Sequence, residues 1–113
     1  MDLIHAQQGE YLVVTVNAAR IDASAALEFK DSMNAIDESN SKILLNLEQV
    51  EFIDSSGLGA VVSVMKHLGK GRKMDLCALT PTVEKVFRLT RMDSIFSIDA
   101  TLEQAVSDQQ ATG

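Results

Sequence analysis

The chain has 113 residues, of which 46% are hydrophobic and 23% charged, enough for one compact domain with a core and too little for two. Its formal net charge of −6 opposes nucleic-acid binding, which normally requires a concentrated basic face. No apolar run approaches the roughly 20 residues that cross a bilayer, and no basic segment with an apolar leader predicts a signal peptide. We therefore expect one cytoplasmic domain over residues 1–113, with its last few residues in a disordered tail.

The first half of the chain predicts a hairpin, a helix and a buried strand. The segments "DLIHAQQ" and "YLVVTVNA", separated by a turn at Gly9, are typical of two paired strands. Apolar residues then recur at spacings of three and four from Ala26 to Ile36, which predicts an amphipathic helix over "SAALEFKDSMNAIDES" with Ser24 as a candidate N-cap. The run "KILLNL" predicts a strand covered on both faces, and therefore a central one.

The second half predicts helices alternating with short strands. A helical apolar stripe runs through "SGLGAVVSVMKHL" and ends near Gly69, and "MDLCAL" follows as a buried strand. Thr80 and Pro81 begin a third helix, "SIFSI" predicts an edge strand, and "TLEQAV" begins a helix with a capping-box pattern of Thr101 and Gln104. The order β-β-α-β-α-β-α-β-α predicts an α/β fold with a parallel or mixed sheet.

The stretch "VEFIDSSGLGAVV" places two serines and two glycines where the predicted central strand leads into the second helix. Functional sites of α/β proteins commonly lie at this end of a strand. Asp54, Ser55 or Ser56 could each cap the helix, and Gly57 and Gly59 could serve a tight turn and close packing. Capping accounts for one hydroxyl, so the spacing alone leaves open both a functional serine and a plain helix start.

Enzymatic interpretations of this stretch are weak. A serine hydrolase would combine Ser55 and Asp54 with His67 or His5, but the G-x-S-x-G elbow is absent, and His67 lies roughly 18 Å along the same helix. The stretch also lacks the phosphate-loop pattern, and no His or Cys pair has metal-ligand spacing. The lone cysteine, Cys77, lies in an apolar run that predicts a buried core thiol. We expect a protein that is not an enzyme and holds no cofactor or metal.

The segment "LNLEQVEFIDSSGLGAVVSVMKHLGKGRKMDLCALTPTVEKVFRLTRMDSIFSI" resembles the STAS domain of the anti-sigma factor antagonists, the partner-switching proteins of bacteria. The resemblance covers nearly the whole chain. Its most specific part is "FIDSSGLG", supported by "ARID" before it and "LCALTPTVEKVFRLT" after it. The resemblance implies a STAS fold, an α/β domain whose mixed sheet of four to five strands carries about four helices packed largely on one side.

The resemblance also implies a function and a site. In that family the serine directly after the motif aspartate is phosphorylated by a cognate anti-sigma factor that is also a serine kinase and holds the ATP. That position is Ser55, with Ser56 as the runner-up. The resemblance further implies that the unphosphorylated protein binds this anti-sigma factor and that the phosphorylated protein is released from it. This exchange would control transcription or another output, and a PP2C-type phosphatase is implied as a second partner. The implied partner-binding loop comprises Asp22, Asp54, Ser55, Ser56, Gly57, Leu58 and Gly59.

Two positions depart from the family pattern. Ala19 and Arg91 stand where the family often has glycine, before the "x-[LI]-D" motif and near the end of the third helix. An alternative role is a STAS regulatory or structural subunit of a transport or signalling assembly, in which the serine loop is only a docking edge. Because the sheet accounts for the apolar stripe of each helix, we expect a monomer when free, with no contact to nucleic acid or membrane.

Overall fold

The computed structural model describes residues 1–36, 42–69 and 71–112, with side chains described as far as residue 107. A short 3-10 helix, Met92–Ser94, separates the third helix from the last strand. In chain order the strands and helices are β1 (Leu3–Gln8), β2 (Tyr11–Val16), β3 (Arg20–Ile21), α1 (Ala26–Asn34), β4 (Lys42–Asn46), β5 (Phe52–Ile53), α2 (Ser55–Leu68), β6 (Lys73–Cys77), α3 (Pro81–Leu89), β7 (Ile98–Asp99) and α4 (Leu102–Thr112).

The main sheet is mixed, as predicted, with the strand order β1-β2-β4-β6-β7. β1 and β2 form the predicted antiparallel hairpin, with the turn residue Gly9 at a φ of 59°, and the other neighbouring pairs are parallel. β4 lies at the centre and is buried on both faces, which confirms the prediction for "KILLNL".

A second, two-stranded sheet pairs β3 with β5 in parallel and was not predicted. It corrects the placement of the serine stretch, since α2 follows the short β5 and not the central strand β4. Each strand of this sheet has two residues, too few to show an alternating pattern. The small sheet is what positions the start of α2.

The two faces of the main sheet are covered unequally. One face of β2, β4 and β6 packs against α1, α2 and α3, which bury Phe29, Val61 and Phe87 there. On the opposite face, Cys77 and Ala105 of α4 belong to a smaller cluster with residues of β2 and β4. Burial raises the pKa of the Cys77 thiol to about 12, so the cysteine is a core thiol, as predicted. The helices therefore lie largely on one side, with α4 as the exception.

The start of α1 differs from prediction in its capping. α1 has Ala25 as its N-cap with no side-chain hydrogen bond, so Ser24 is not the cap. The Ser24 hydroxyl instead donates to Asp22 at 2.7 Å. α3 begins with Thr80 as its N-cap residue and Pro81 as its first residue, as predicted, and the Thr80 hydroxyl donates to the carbonyl of Val50 at 2.7 Å. Part of the predicted length of the first helix, residues 37–39, lies outside the described residues.

The last two elements are shifted relative to prediction. Of the predicted edge strand "SIFSI", only Ile98 lies in a strand, Ile98–Asp99, whereas Ser94 ends the 3-10 helix and residues 95–97 are irregular. The final helix begins with the predicted cap, because the amide of Gln104 donates to the Thr101 hydroxyl at 3.0 Å. This helix continues to Thr112, beyond the predicted segment "TLEQAV". A disordered tail stays a prediction.

The start of α2 approaches β3 closely at Gly57. A Cβ at this position would lie 1.8 Å from the carbonyl oxygen of Ile21 and 3.0 Å from Cγ1 of Ile53. The contact is with backbone that belongs to the small sheet, so a rotamer change cannot relieve it. Glycine is therefore needed at residue 57 for packing.

We expect Gly57→Ala to lower the free energy of unfolding by about 2–3 kcal/mol or more, because the added methyl forces α2 away from β3. Urea unfolding followed by circular dichroism measures the change. Gly59→Ala is the matched control, since a Cβ at Gly59 meets no atom within 4 Å, and it should not destabilise the protein. Equal stability of Gly57→Ala and wild type would contradict the packing.

Arg91 directly follows the C-cap of α3 and has a left-handed backbone, with a φ of 61° and a ψ of 21°. Left-handed conformations cost a residue with a Cβ roughly 1–2 kcal/mol. The family glycine near this position has no such cost. The departure at Arg91 therefore places backbone strain at the end of α3.

Arg91→Gly is expected to raise the free energy of unfolding by about 0.5–1 kcal/mol, because glycine adopts the left-handed conformation without strain. The gain is smaller than the strain itself because glycine gives the unfolded chain more conformational entropy to lose on folding. Thermal and urea unfolding test this. Arg91→Ala keeps the Cβ and should give no such gain. If both variants were equally stabilised, loss of the arginine side chain and not backbone strain would be the cause.

Candidate functional site

Two exposed serines begin α2 immediately after a capping aspartate. Asp54 is the N-cap in extended backbone, and its Oδ1 accepts the amide hydrogen of Gly57 at 2.8 Å. Ser55 and Ser56 are exposed, and neither hydroxyl has a hydrogen-bond partner among the described residues. Of the three candidate caps, Asp54 is therefore the one that caps the helix, and capping accounts for neither serine.

The second oxygen of Asp54 holds the loop that precedes α1. Oδ2 accepts the amide hydrogen of Ala23 at 3.0 Å, so one carboxylate joins this loop to the start of α2. On the same loop, Asp22 accepts hydrogen bonds from the Ser24 hydroxyl and from Nε of Arg20 at 3.2 Å. These two bonds lower the pKa of Asp22, that from Ser24 having the larger effect. The loop before α1 thus holds an ionised carboxylate next to the segment bonded to Asp54.

Arg20 and Phe52 form the outward face of the small sheet, a feature that sequence reasoning missed. They are register partners in β3 and β5, and the Arg20 guanidinium lies 4.4 Å from the centroid of the Phe52 ring. The quoted segment "ARID" contains Arg20, but only the pairing of two two-residue strands brings it beside Phe52. This cation–π contact and the bond to Asp22 orient the guanidinium.

The predicted loop residues divide into an exposed and a buried group. Ser55, Ser56 and Gly59 are exposed, and the carboxylates of Asp22 and Asp54 are half-buried. Two others are buried: Leu58 packs into the main core, and Gly57 lies against Ile21. Gly57 and Leu58 therefore fix the conformation of the loop, and the open surface consists of the other five residues.

The structure brings no histidine to the serines. His67 lies in the last turn of α2, and His5 lies on β1, at the edge of the main sheet. Within the described ranges no three His, Cys, Asp or Glu side chains are grouped so that they would hold a metal ion. None of the helices described is both long and apolar enough to cross a membrane. The site is a polar surface with exposed hydroxyls beside carboxylates.

Several of the similar proteins are named anti-sigma factor antagonists. BtrV of Bordetella bronchiseptica, named in this class, is 30% identical over 106 residues, 93% of this chain and 84% of that protein. The structure of an anti-sigma factor antagonist from Mycobacterium paratuberculosis superimposes with a TM-score of 0.83 at 25% identity, over 95% of this chain and 92% of that one. The similarity therefore covers the serine stretch together with almost all of the fold.

The Bacillus protein SpoIIAA, also an anti-sigma factor antagonist, resembles the chain in two states. Its unphosphorylated form gives a TM-score of 0.73 at 28% identity, over 97% of this chain and 96% of that one. Its phosphorylated form gives a TM-score of 0.67 at 26% identity, over 95% of this chain and 98% of that one. The model of the STAS domain matches residues 3–105, from β1 into α4. The chain belongs to the STAS domain family.

Proposed function

We propose that this protein is a cytoplasmic anti-sigma factor antagonist that binds a cognate anti-sigma factor, itself a serine kinase, and is released when Ser55 is phosphorylated. The observation that carries the proposal is the Ser55 hydroxyl, which is exposed directly after the capping Asp54 and has no hydrogen-bond partner in the described part of the chain. The kinase supplies ATP, and a PP2C-type phosphatase returns the protein to its binding state. Relatives named anti-sigma factor antagonists support this role.

The choice of Ser55 over Ser56 rests on its position relative to Asp54. Both hydroxyls are exposed, so a kinase could reach either on access alone. Ser55 is the residue that directly follows the motif aspartate, the position whose phosphorylation is implied by the resemblance to the anti-sigma factor antagonists. Asp54 makes two hydrogen bonds, to Gly57 and Ala23, so the backbone that presents Ser55 is fixed on both sides.

Phosphorylation at Ser55 would change the charge of the surface and leave the fold in place. A phosphate adds about −1.5 to −2 charges, and the N-terminal end of a helix dipole tolerates an anion. The amide of Gly57 is already bonded to Asp54, so the phosphate adds its charge beside an existing carboxylate. A partner packed on this surface would have to bury an unpaired anion, which favours release. That SpoIIAA has this fold in both forms supports a switch without unfolding.

The test uses the kinase-type anti-sigma factor encoded in the same genome, with ATP and magnesium. Ser55→Ala should abolish phosphate incorporation while the partner still binds, because the exposed hydroxyl that is lost makes no hydrogen bond to a described residue. Ser55→Asp should weaken partner binding, though less than a phosphate does, since it adds one charge. Intact-mass analysis with site mapping and titration calorimetry measure the two effects.

Ser56→Ala is the matched control for these variants, and it should be phosphorylated like the wild type. Mapping of the phosphate to Ser56 would show that the wrong serine has been assigned. Equal partner affinity for wild type, Ser55→Asp and the phosphorylated protein would contradict the switch.

A further pair of variants tests how Asp54 presents the serine. Asp54→Ala removes the acceptors for Gly57 and Ala23 and should lower the free energy of unfolding by about 1–2 kcal/mol. It should also slow phosphorylation, because the start of α2 is no longer fixed. Asp54→Asn keeps one acceptor oxygen, and asparagine is a good N-cap residue. The free energy of unfolding should therefore fall less in Asp54→Asn than in Asp54→Ala. Equal unfolding curves for wild type and Asp54→Ala would rule out the double hydrogen bond.

A further inference from the structure

Residue 59 is a glycine inside a helix, although the fold itself does not require a glycine at this position. It lies in α2, where glycine is less favourable than alanine because it leaves more backbone freedom to lose on folding. It is exposed, and a Cβ built on it meets no atom within 4 Å, whereas one on Gly57 would collide with Ile21. A bare helix backbone facing solvent lets another molecule approach closely.

Leu27 is an apolar side chain that the fold leaves uncovered. It lies in the first turn of α1 with 66% of its surface exposed, although Phe29 and Met33 of the same helix are buried. Large apolar side chains that stay exposed beside a functional surface are candidates for contact with a partner.

Leu27 and Gly59 lie at the same end of two neighbouring helices. α1 connects β3 to β4 and α2 connects β5 to β6, and because β3 is parallel to β5 and β4 to β6, the two helices start at one end of the molecule. α1 and α2 pack against each other, and the bond from Ala23 to Asp54 joins their starts. Both residues are therefore within the first two turns of the helices that border Ser55.

We propose that the docking surface for the partner extends beyond the implied partner-binding loop onto α1, with Leu27 as an apolar anchor and Gly59 of that loop as the point of closest backbone approach. This inference rests on the proposed function and identifies where the anti-sigma factor binds. The carboxylates of Asp22 and Asp54 border the surface, so the complementary face is an apolar patch with basic residues at its rim. A phosphate on Ser55 would then lie inside the contact area.

The experiment measures the affinity of the unphosphorylated protein for the kinase-type anti-sigma factor by titration calorimetry, with thermal unfolding of each variant alone. Leu27→Ser and Gly59→Ala should each raise Kd about tenfold or more, as truncation or obstruction of a central contact does. Gly59→Ala should at the same time raise Tm by roughly 3–6 °C. A purely structural role cannot produce weaker binding together with higher stability.

Two matched controls separate this surface from general effects. Leu89→Ser replaces a leucine that is 71% exposed at the end of α3, and Ser63→Ala changes an exposed residue one turn beyond Gly59. Both should bind like the wild type.

The outcomes distinguish this inference from the proposed function. If wild type binds and is released on phosphorylation, but Leu27→Ser and Gly59→Ala bind equally well, the docking surface is wrong and the proposed function stands. If wild type binds no kinase-type anti-sigma factor, both the docking surface and the proposed function are contradicted. If wild type sediments as a dimer that Leu27→Ser separates, the surface serves self-association, which overturns the inference.

Discussion

The two hydrogen bonds that the Asp54 carboxylate accepts are the interactions on which the candidate site depends. One oxygen caps α2 through the amide of Gly57 at 2.8 Å, and the other holds the amide of Ala23 at 3.0 Å. A single side chain thereby fixes the start of one helix and the loop that leads into its neighbour. Because the cap is Asp54, the hydroxyls of Ser55 and Ser56 make no hydrogen bond to any residue that the structure describes. The small sheet beneath supports this arrangement, since Gly57 packs directly on the backbone of Ile21.

The core and the surface around Ser55 are physically separate, so a charge added at this surface would not enter the packed core. The main core lies between the central sheet and helices α1 to α3, and α4 covers the other face with a smaller cluster. Ser55 lies outside both clusters, at an exposed helix start. An added phosphate would meet solvent, the helix dipole and the neighbouring Asp54, and it would enter no packed layer. The phosphate would therefore act mainly on the binding of a partner to this surface.

Most of the fold could be predicted from the sequence because its long elements have clear periodicity. "YLVVTV" and "KILLNL" are strands, and the stripes of α2 and α3 mark helices. β3 and β5 could not be predicted, since two residues each show no alternation. Aspartate and serine are both common N-cap residues, so the sequence alone does not choose among Asp54, Ser55 and Ser56. The structure identifies Asp54 as the cap. The exposure of Leu27 also depends on how α1 sits on the sheet, which its own spacing does not determine.

The most direct test of a surface switch compares amide chemical shifts of the unphosphorylated and Ser55-phosphorylated protein by two-dimensional NMR. Changes confined to the loop around Asp22 to Ser24 and to the first turns of α2, with the amides of β4 and β6 unmoved, are the predicted result. Widespread shifts through the central strands would contradict the account, because they would show that the phosphate acts by rearranging the core and not by altering the surface charge.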